Sequence, residues 1–402
     1  MPLRKGLDSI LLLLTAAFLA TNFFALGVLR QETSQPAHWL HLLVWVCCAI
    51  AGQFWLGRHL PQRDKLLFPL VMLPAGWGLL LIDRLLPAFA DRQTLWLPAG
   101  LLVALVLANW RPLLQLPRKH SGLTLALITL LLIAASVLEG ENAGLPGELL
   151  KLILVIHFCQ WLATRPQCLE TPAWLARQGW RLLLWLIPLL LLVWQRDPGT
   201  ALVTGLVLLL LLNLSARSMR LLQVSTLLLL ASAALAWFFL DVVQERVSIW
   251  LDPWTLADGR GYQIVQGLIA IAEGGVVGAG VGMGQPVVVP VVHSDFVLVA
   301  LAEEWGLVGV LVLLASMAVF TLRGLRIAWQ LRGNSFLSLL AAGMTLLPGV
   351  QGLLICAGVL RLLPLTGVTL PFLGYGGSAL LTSLLSASLL LRLSAEVRRG
   401  PR

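Results

Sequence analysis

The stretch "VVHSDFVLVALAEEWGLVG", residues 291–309, carries Asp295, Glu303 and Glu304 into an apolar run long enough to enter a membrane. If the segment is helical, the two glutamates lie about 12–14 Å deeper than Asp295. A charged side chain at the centre of a membrane helix costs roughly 2.5–3.5 kcal/mol, so it usually faces a cavity and has a partner. Helical geometry turns Glu304 away from Asp295, so at most Glu303 is expected to share its cavity.

The composition is that of an integral membrane protein. Hydrophobic residues make up 58% of the 402-residue chain and charged residues only 12%, whereas a soluble domain has about 25% charged residues. Apolar segments of the length that a membrane helix needs lie at 7–29, 38–57, 66–86, 94–110, 121–138, 147–163, 180–194, 199–214, 221–240, 296–320, 335–360 and 367–392. The sequence therefore predicts an all-α polytopic membrane protein with about twelve transmembrane helices.

The chain has a net charge of +9, and its basic and acidic residues alternate between connections in the way that a membrane topology produces. If the N-terminus is cytoplasmic, most lysines and arginines fall in cytoplasmic connections and most acidic residues fall on the other side. This positive-inside pattern predicts cytoplasmic N- and C-termini and gives no reason to expect a nucleic-acid partner. The apolar run within residues 1–29 is too long for a signal peptide and is predicted to be the first spanning helix. The cysteines show no CxxC spacing and are expected to pack as small apolar residues.

The long connection 241–295 is predicted to be extracytoplasmic, and it is apolar and rich in glycine. Glycines between 274 and 284 disfavour a spanning helix. Irregular backbone at membrane depth must be buried in protein or line a polar cavity. We therefore expect an amphipathic or re-entrant helix near 262–273, followed by a loop folded against the outer membrane face. A dimerisation surface built on small residues is an equal alternative.

Further charged residues fall on the same predicted side of the membrane. Glu148 and Lys151 are spaced i, i+3 at the start of a helix, and Arg196 and Asp197 lie in the turn of "WQRDPGTALV", residues 194–203. Their convergence with the carboxylates of the opening stretch favours one aqueous cavity that opens outward. The alternative is a set of interhelical ion pairs that fix the bundle, for instance Lys151 with Asp197 or Glu303.

Several ordered motifs in residues 121–402 resemble those of one family. They are "PGELLKLILVIHFCQWLATR" (146–165), "QRDPGTALV" (195–203), "LDPWTLADGRGYQIVQGLIAIAEGGVVGAGVGMG" (251–284), "HSDF" (293–296), "AEEWGLVG" (302–309) and "LLPLTGVTLPFLGYGGSALL" (362–381). This set resembles the SEDS proteins (shape, elongation, division and sporulation), typified by RodA and FtsW. The resemblance implies a SEDS-like core of about ten helices in 121–402, with residues 1–120 as additional N-terminal membrane segments.

The resemblance also implies a function. SEDS proteins are peptidoglycan glycosyltransferases of the bacterial cytoplasmic (inner) membrane, and they polymerise lipid II with release of undecaprenyl diphosphate. A class B penicillin-binding protein is the implied partner. Asp295 matches the family's catalytic aspartate, which would accept a proton from the attacking hydroxyl. A divalent cation, Mg²⁺ or Mn²⁺, held by Asp295 is an alternative that carboxylate chemistry allows.

The matching motifs also nominate substrate-binding residues. Lys151 and Arg196 would stabilise the negative charge of the leaving diphosphate. The other residues nominated on the family's motifs are Glu148, Asp197, Gln263, His293 and Glu303. For His293, a role in capping the loop is an equal alternative.

The sequence departs from the family pattern at several points. No Arg-Trp segment precedes the helix that begins near Glu148, and Val291 stands where a loop Glu is usual. Ile355 replaces an Asn, Gly374 replaces a Ser, and Glu273 adds a charge to the glycine-rich segment. The missing Arg-Trp segment and loop Glu favour one alternative, an inactive scaffold for a penicillin-binding transpeptidase. A flippase or transporter of the lipid-linked glycan, which would use the same cavity, is a second alternative.

Overall fold

The computed structural model describes residues 6–30, 36–110, 144–164, 185–195, 197–216 and 219–397, and this part of the chain is helical, as predicted. The helices are α1 (Leu7–Leu29), α2 (Pro36–His59), α3 (Leu67–Leu85), α4 (Pro87–Asn109), α5 (Gly144–Ala163), α6 (Leu186–Trp194), α7 (Pro198–Ala216), α8 (Met219–Phe239), α9 (Asp241–Leu251), α10 (Tyr262–Gly274), α11 (Val297–Gln330), α12 (Ser335–Val359) and α13 (Gly377–Val397), with a 3₁₀ turn at Pro286–Val288.

Within the described ranges, 8 helices are long and apolar enough to cross a membrane by length and composition. They are α1, α2, α3, α7, α8, α11, α12 and α13. The predicted segment 121–138 and the first residues of 180–194 lie outside the described residues. The count of about twelve transmembrane helices therefore stays a prediction.

The centre of the bundle is formed by α3, α12 and α13, which are 83%, 83% and 89% buried over their apolar windows. In contrast, α8 is 6% buried and lies at the periphery. The N-terminal helices are part of this packing, because α3 contacts α1 and α11 and α4 contacts α13. The proposed division between residues 120 and 121 lies outside the described residues.

One predicted helix begins later than the sequence suggested. The apolar run 367–392 was expected to be helical throughout, but α13 begins at Gly377. Residues 360–376, here called the closing segment, contain Pro364 and Pro371, which remove backbone donors and oppose the helical conformation of the preceding residue. Phe372 within this segment has a φ of 66°. The closing segment therefore crosses the end of the bundle as irregular backbone.

The segment after α10 is folded into a break in α11. Gly306 has a φ of 63° and a ψ of −164°, which interrupts the helix. Two N–H groups of residues 275–285, here called the glycine loop, donate to the carbonyls of Glu303 and Glu304 at 2.8 and 3.1 Å. A Cβ at Gly278 would lie 2.3 Å from the carbonyl oxygen of Glu304, so the contact requires glycine. The glycines thus serve a contact within the chain, which favours the folded loop over a dimerisation surface.

The helix predicted near 262–273 is α10. Its 13 residues span about 20 Å, too short to cross a hydrocarbon core of about 30 Å. It packs against α11. We call the end of the bundle that carries residues 241–295 the loop face. Its loop is folded, with α10 packed against α11.

Candidate active site at the loop face

Asp295 lies where a tight turn of the loop meets the start of α11. The N–H of Ser294 donates to the carbonyl of Val291 at 3.2 Å, and the Ser294 hydroxyl donates to Oδ1 of Asp295 at 3.1 Å. Val291 has a φ of 53°, a conformation that is strained for a β-branched residue. The side chain of Asp295 is half-buried. Burial raises the pKa of Asp295, an effect that the Ser294 hydroxyl and the nearby charge of Arg246 partly oppose.

Arg246, on α9, is a cation whose charge acts on Asp295. Burial lowers the pKa of Arg246, while the negative charges of Asp197, Asp295 and Glu245 oppose this shift. Its Nη1 donates to the carbonyl of Thr366 at 2.6 Å. A guanidinium keeps its charge in proteins. The positive charge of Arg246 therefore acts on both half-buried carboxylates, Asp197 and Asp295. The sequence did not indicate Arg246, because α9 lies in the loop and not in an apolar membrane segment.

The position of α9 is fixed by Arg361 in the closing segment. Arg361 donates from Nε to the carbonyl of Trp250 at 2.9 Å and from Nη2 to that of Leu251 at 2.7 Å. In return, the indole N–H of Trp250 donates to the carbonyl of Arg361 at 3.1 Å. The last carbonyls of a helix favour a cation. This contact fixes the orientation of α9 and, with it, the place of Arg246.

Asp197 begins α7 in the way that "DPGT" predicts. Its Oδ1 accepts from the N–H of Thr200 at 2.9 Å, and Pro198 occupies the first helical position, where a missing donor costs nothing. A Cβ at Gly147 of α5 would lie 4.0 Å from Oδ2 of Asp197. Asp197 thus adjoins the start of α5, which carries Glu148 and Lys151. Arg196 lies outside the described residues.

Lys151 is 1% exposed and makes two polar contacts. Its Nζ lies 2.7 Å from Oε2 of Glu148 and donates to Oε1 of Gln351 at 2.7 Å. Glu148 also accepts from the Thr382 hydroxyl at 2.8 Å. The ion-pair alternative named Asp197 or a glutamate of α11 as the partner of Lys151, and that choice is wrong. The i, i+3 spacing places Glu148 beside Lys151 on one face of α5, so the acidic partner comes from the same helix.

Backbone carbonyls of the closing segment accept hydrogen bonds from Arg246 and Gln351. The carbonyl of Thr366 accepts from Arg246, and the carbonyl of Thr369 accepts from Nε2 of Gln351 at 2.7 Å. Gln351 therefore connects Lys151 to the same segment that holds Arg246. We call this set of side chains the polar track: Asp295, Arg246, Asp197, Glu148, Lys151 and Gln351.

His293 is held by aromatic rings and by its backbone. Its ring lies 5.0 Å from that of Phe89 and 5.7 Å from that of Tyr375, and its carbonyl accepts from the N–H of Tyr375 at 2.8 Å. Burial lowers the pKa of His293, which favours a neutral ring. A Cβ at Gly374 would lie 2.6 Å from the carbonyl oxygen of Ser294. The glycine that replaces the family's serine at position 374 thus permits this close approach.

Two nominated residues have contacts away from the polar track. Glu303 was expected at most to share the cavity of Asp295, but its Oε1 accepts from the backbone N–H of Gln285 in the glycine loop. This contact ties Glu303 to the glycine loop, and its role in substrate binding stays a prediction. Gln263 donates from Nε2 to the carbonyl of Pro290 at 2.8 Å, so it braces the loop that leads to Asp295.

The surroundings of Asp295 bear on whether the protein alone could hold a divalent cation there. Within the part of the chain that the structure describes, no group of three or more His, Cys, Asp or Glu side chains is arranged to hold a metal ion. Asp295 instead has a hydroxyl and a guanidinium as neighbours. Mg²⁺ is usually bound by one or two carboxylates together with substrate phosphates, so a cation shared between Asp295 and the substrate stays a prediction. The chemistry below is derived for the side chains of the chain.

The fold and this site define a polytopic membrane protein with a cluster of charged side chains at one end of its helical bundle. Residues 83–399 match the family model of the cell cycle proteins FtsW, RodA and SpoVE. The chain therefore belongs to this family, which confirms the resemblance to SEDS proteins. It is an integral protein of the bacterial inner membrane.

Relatives and solved structures agree with this assignment. The peptidoglycan glycosyltransferase RodA of Mycobacterium tuberculosis is 33% identical over 439 residues, which cover 99% of this chain and 92% of that protein. The peptidoglycan glycosyltransferase MrdB of Escherichia coli is 38% identical over 241 residues, 59% of this chain and 64% of that protein. A chain of a peptidoglycan synthase complex that coordinates polymerization and crosslinking has a TM-score of 0.63 at 26% identity, covering 84% of this chain and 99% of that chain. RodA of Thermus thermophilus has a TM-score of 0.58 at 25% identity and covers 84% of this chain and 98% of that chain.

Proposed function

We propose that this peptidoglycan glycosyltransferase polymerises lipid II at its loop face, with Asp295 as the general base. One observation supports this site. The carboxylate of Asp295 is half-buried, is subject to the charge of Arg246, and belongs to the polar track. A lipid-anchored substrate brings its diphosphate and sugar to the membrane surface. A site at the end of a membrane bundle is placed to receive both.

In the reaction, a hydroxyl of the acceptor sugar attacks the anomeric carbon of the donor. A carbon–oxygen bond forms there, the bond from that carbon to the diphosphate breaks, and the hydroxyl proton passes to Asp295. Undecaprenyl diphosphate leaves with the bonding electron pair. Burial raises the pKa of Asp295, which brings this base closer to neutral pH and strengthens it as a proton acceptor.

Positive charge for the leaving diphosphate comes from the polar track. Arg246 offers a forked donor set that suits phosphate oxygens. Lys151 is neutralised by Glu148, so it would bind the diphosphate only as that pair opens. Asp197 and Gln351 then have positioning roles, because they hold the start of α7 and the closing segment around the site.

The proposed function also includes a membrane topology and a protein partner. The positive-inside distribution supports cytoplasmic N- and C-termini and an extracytoplasmic loop face. A class B penicillin-binding protein is the proposed partner, supported by the likeness to a chain of a peptidoglycan synthase complex. Co-purification of that transpeptidase with the tagged protein from membranes would test the pairing, and recovery of the protein without it would count against it.

The central test uses purified protein in detergent or vesicles with labelled lipid II. Wild type should form glycan polymer, and Asp295→Asn should form none while keeping its folded state. Asp258→Asn is the matched control, because Asp258 is an exposed acid in the same loop and should retain full activity. Polymer from Asp295→Asn at the wild-type rate would reject the general base.

This experiment also separates the other two functions. Polymer made by the purified chain alone argues against an inactive scaffold. If wild type makes no polymer yet moves labelled lipid II across a vesicle membrane, the flippase is correct and the proposed transferase falls.

A further inference from the structure

Arg84, near the end of α3, contacts the glycine loop and α11 together. Its Nε donates to Oε1 of Glu304 at 3.1 Å, and its Nη2 donates to the carbonyls of Gly282 and Gly284 at 3.3 and 2.9 Å. The side chain of Glu304 is 0% exposed and that of Arg84 is 16% exposed, so solvent hardly screens the pair. One guanidinium thus joins the loop to the helix that the loop interrupts.

The end of α3 is itself held by α1 and α2. Nδ1 of His38 lies 2.7 Å from Oδ2 of Asp83, and Nε2 lies 2.8 Å from the carbonyl oxygen of Phe23. A carbonyl only accepts, so Nε2 carries a proton, and the short contact with Asp83 places a second proton between the two side chains. Arg30 donates to the carbonyl of Asp83 at 3.1 Å and also to the carbonyl of Arg84. The backbone that carries Arg84 is therefore fixed by both N-terminal helices.

α1 also packs directly on the loop and on α11. The indole N–H of Trp305 donates to Oδ1 of Asn22 at 3.3 Å. A Cβ at Gly282 would lie 3.2 Å from the side chains of Leu26 and Leu29. Because the match to the family model begins at residue 83, these contacts come from helices that precede the matched region.

The glycine loop leads to Asp295 through a short, well-anchored path. After the loop, the 3₁₀ turn Pro286–Val288 is followed by the buried Val289. The carbonyl of Pro290 is held by Gln263, and the carbonyl of His293 is held by the closing segment. Because residues 286–293 are held at several successive points, a displacement of the glycine loop would also displace the turn that presents Asp295.

We propose that Arg84 is a positioning residue for glycan polymerisation, which holds the glycine loop in the break of α11 and thereby sets Asp295 against the polar track. The N-terminal helices α1 and α2 contribute by fixing the end of α3. This proposal rests on the proposed function. Arg84 does not touch the substrate, so its loss lowers kcat and leaves KM for lipid II unchanged.

Three variants of the full-length protein test this role. Arg84→Met removes all contacts of the guanidinium, and Arg84→Lys keeps the charge beside Glu304 but removes the fork that reaches the two loop carbonyls. Arg323→Met is the matched control, because Arg323 also forms a 3.1 Å ion pair between α11 and the start of α3, with Asp64, away from the loop. The measurements are kcat and KM for lipid II, melting temperature, and hydrogen exchange of residues 275–295.

Arg84→Met should lower kcat about tenfold or more, since small misplacement of a catalytic group has effects of that order. Its KM should stay within about twofold, its loop should exchange faster, and Arg84→Lys should fall between it and wild type. Arg323→Met should lose less thermal stability than Arg84→Met, because its ion pair is more exposed to solvent, and it should keep kcat. If both Met variants lose activity in proportion to melting temperature, or if Arg84→Met keeps wild-type kcat, Arg84 is only structural.

If Arg84→Met does not fold, Arg84→Lys decides by the same measurements. The exchange measurement is independent of polymerisation. If wild type makes no polymer, the proposed transferase fails, whereas unchanged exchange of residues 275–295 in Arg84→Lys and Arg84→Met rejects the positioning role itself.

Discussion

Lys151 is a buried cation whose surroundings change what a substitution should reveal. It pairs with Glu148 and donates to Gln351, so its removal leaves a carboxylate in an apolar interior. Breaking a buried pair by removing one partner costs about 3–5 kcal/mol, whereas replacing both partners is often neutral. Loss of stability in Lys151→Met would therefore leave open whether the lysine binds substrate.

A double substitution separates the two roles of Lys151. Lys151→Met should lower the melting temperature, and Lys151→Met with Glu148→Gln should restore it, because no uncompensated charge remains. Polymerisation should stay low in both if the ammonium binds the diphosphate. Thermal melts and lipid II assays on the same preparations measure both effects. Recovery of activity together with stability in the double variant would make Lys151 a purely structural ion.

Asp295 is expected to give a pH dependence of both activity and stability. Burial raises its pKa in the folded protein, so its stabilising contribution is fully present below the unfolded pKa and is lost as pH rises through the folded pKa. At neutral pH the ionised form is therefore destabilising relative to a neutral side chain. Asp295→Asn should keep or raise the melting temperature at pH 7 while losing polymerisation.

The rate should have the opposite dependence, because the base must be ionised to accept a proton. As pH falls through the folded pKa of Asp295, kcat/KM of wild type should decline. Rates measured from about pH 8 to about pH 4, with melts at each pH, test this. A flat acidic limb would show that Asp295 does not limit the reaction as a base.

At the scale of elements, α11 depends on a loop from elsewhere in the chain. Its break at Gly306 leaves backbone groups that only the glycine loop satisfies within the described residues. Buried backbone groups that lack a partner are costly. The long helix and the loop therefore form one unit, although the sequence shows them as an apolar run and a glycine-rich connection.

Gly306→Ala tests this unit. Gly306 has a φ of 63°, and a Cβ there would lie 2.4 Å from the N atom of Gly278, so alanine should destabilise the protein by about 1–3 kcal/mol and release the loop to faster hydrogen exchange. Gly57→Ala is the control, because a Cβ at Gly57 meets nothing within 4 Å and should change the melting temperature little. An alanine at 306 that leaves both measurements unchanged would contradict the insertion.

On the scale of the whole molecule, the N-terminal helices and the family core form one packed bundle. α3 lies at its centre and contacts α1 on one side and α11 on another. The loop face collects the turn of Asp295, the closing segment and the glycine loop at the same end of the bundle. A catalytic site in this arrangement depends on the side of the membrane to which that end is exposed.

Cysteine accessibility tests the proposed orientation. Asp258→Cys in the loop and Arg326→Cys near the other end of α11 replace exposed residues. An impermeant thiol reagent added to intact cells should label position 258 and spare position 326, as the positive-inside rule predicts. A cysteine-free background serves as the control for the natural thiols. Equal labelling of both positions would reject the topology.

The sequence by itself determined the helical membrane fold, the family, the helix near 262–273, and the placement of Glu148 and Lys151 on one face of a helix. These features follow from hydropathy, helical periodicity and local motifs, which neighbouring residues encode together. Only the tertiary structure placed the charge of Arg246 near Asp295, bound Glu303 to the backbone of Gln285, paired Lys151 with Gln351, and joined Arg84 to the glycine loop. The physical reason is that contacts between distant segments depend on how apolar helices pack, and apolar surfaces carry little directional information about which polar groups will meet.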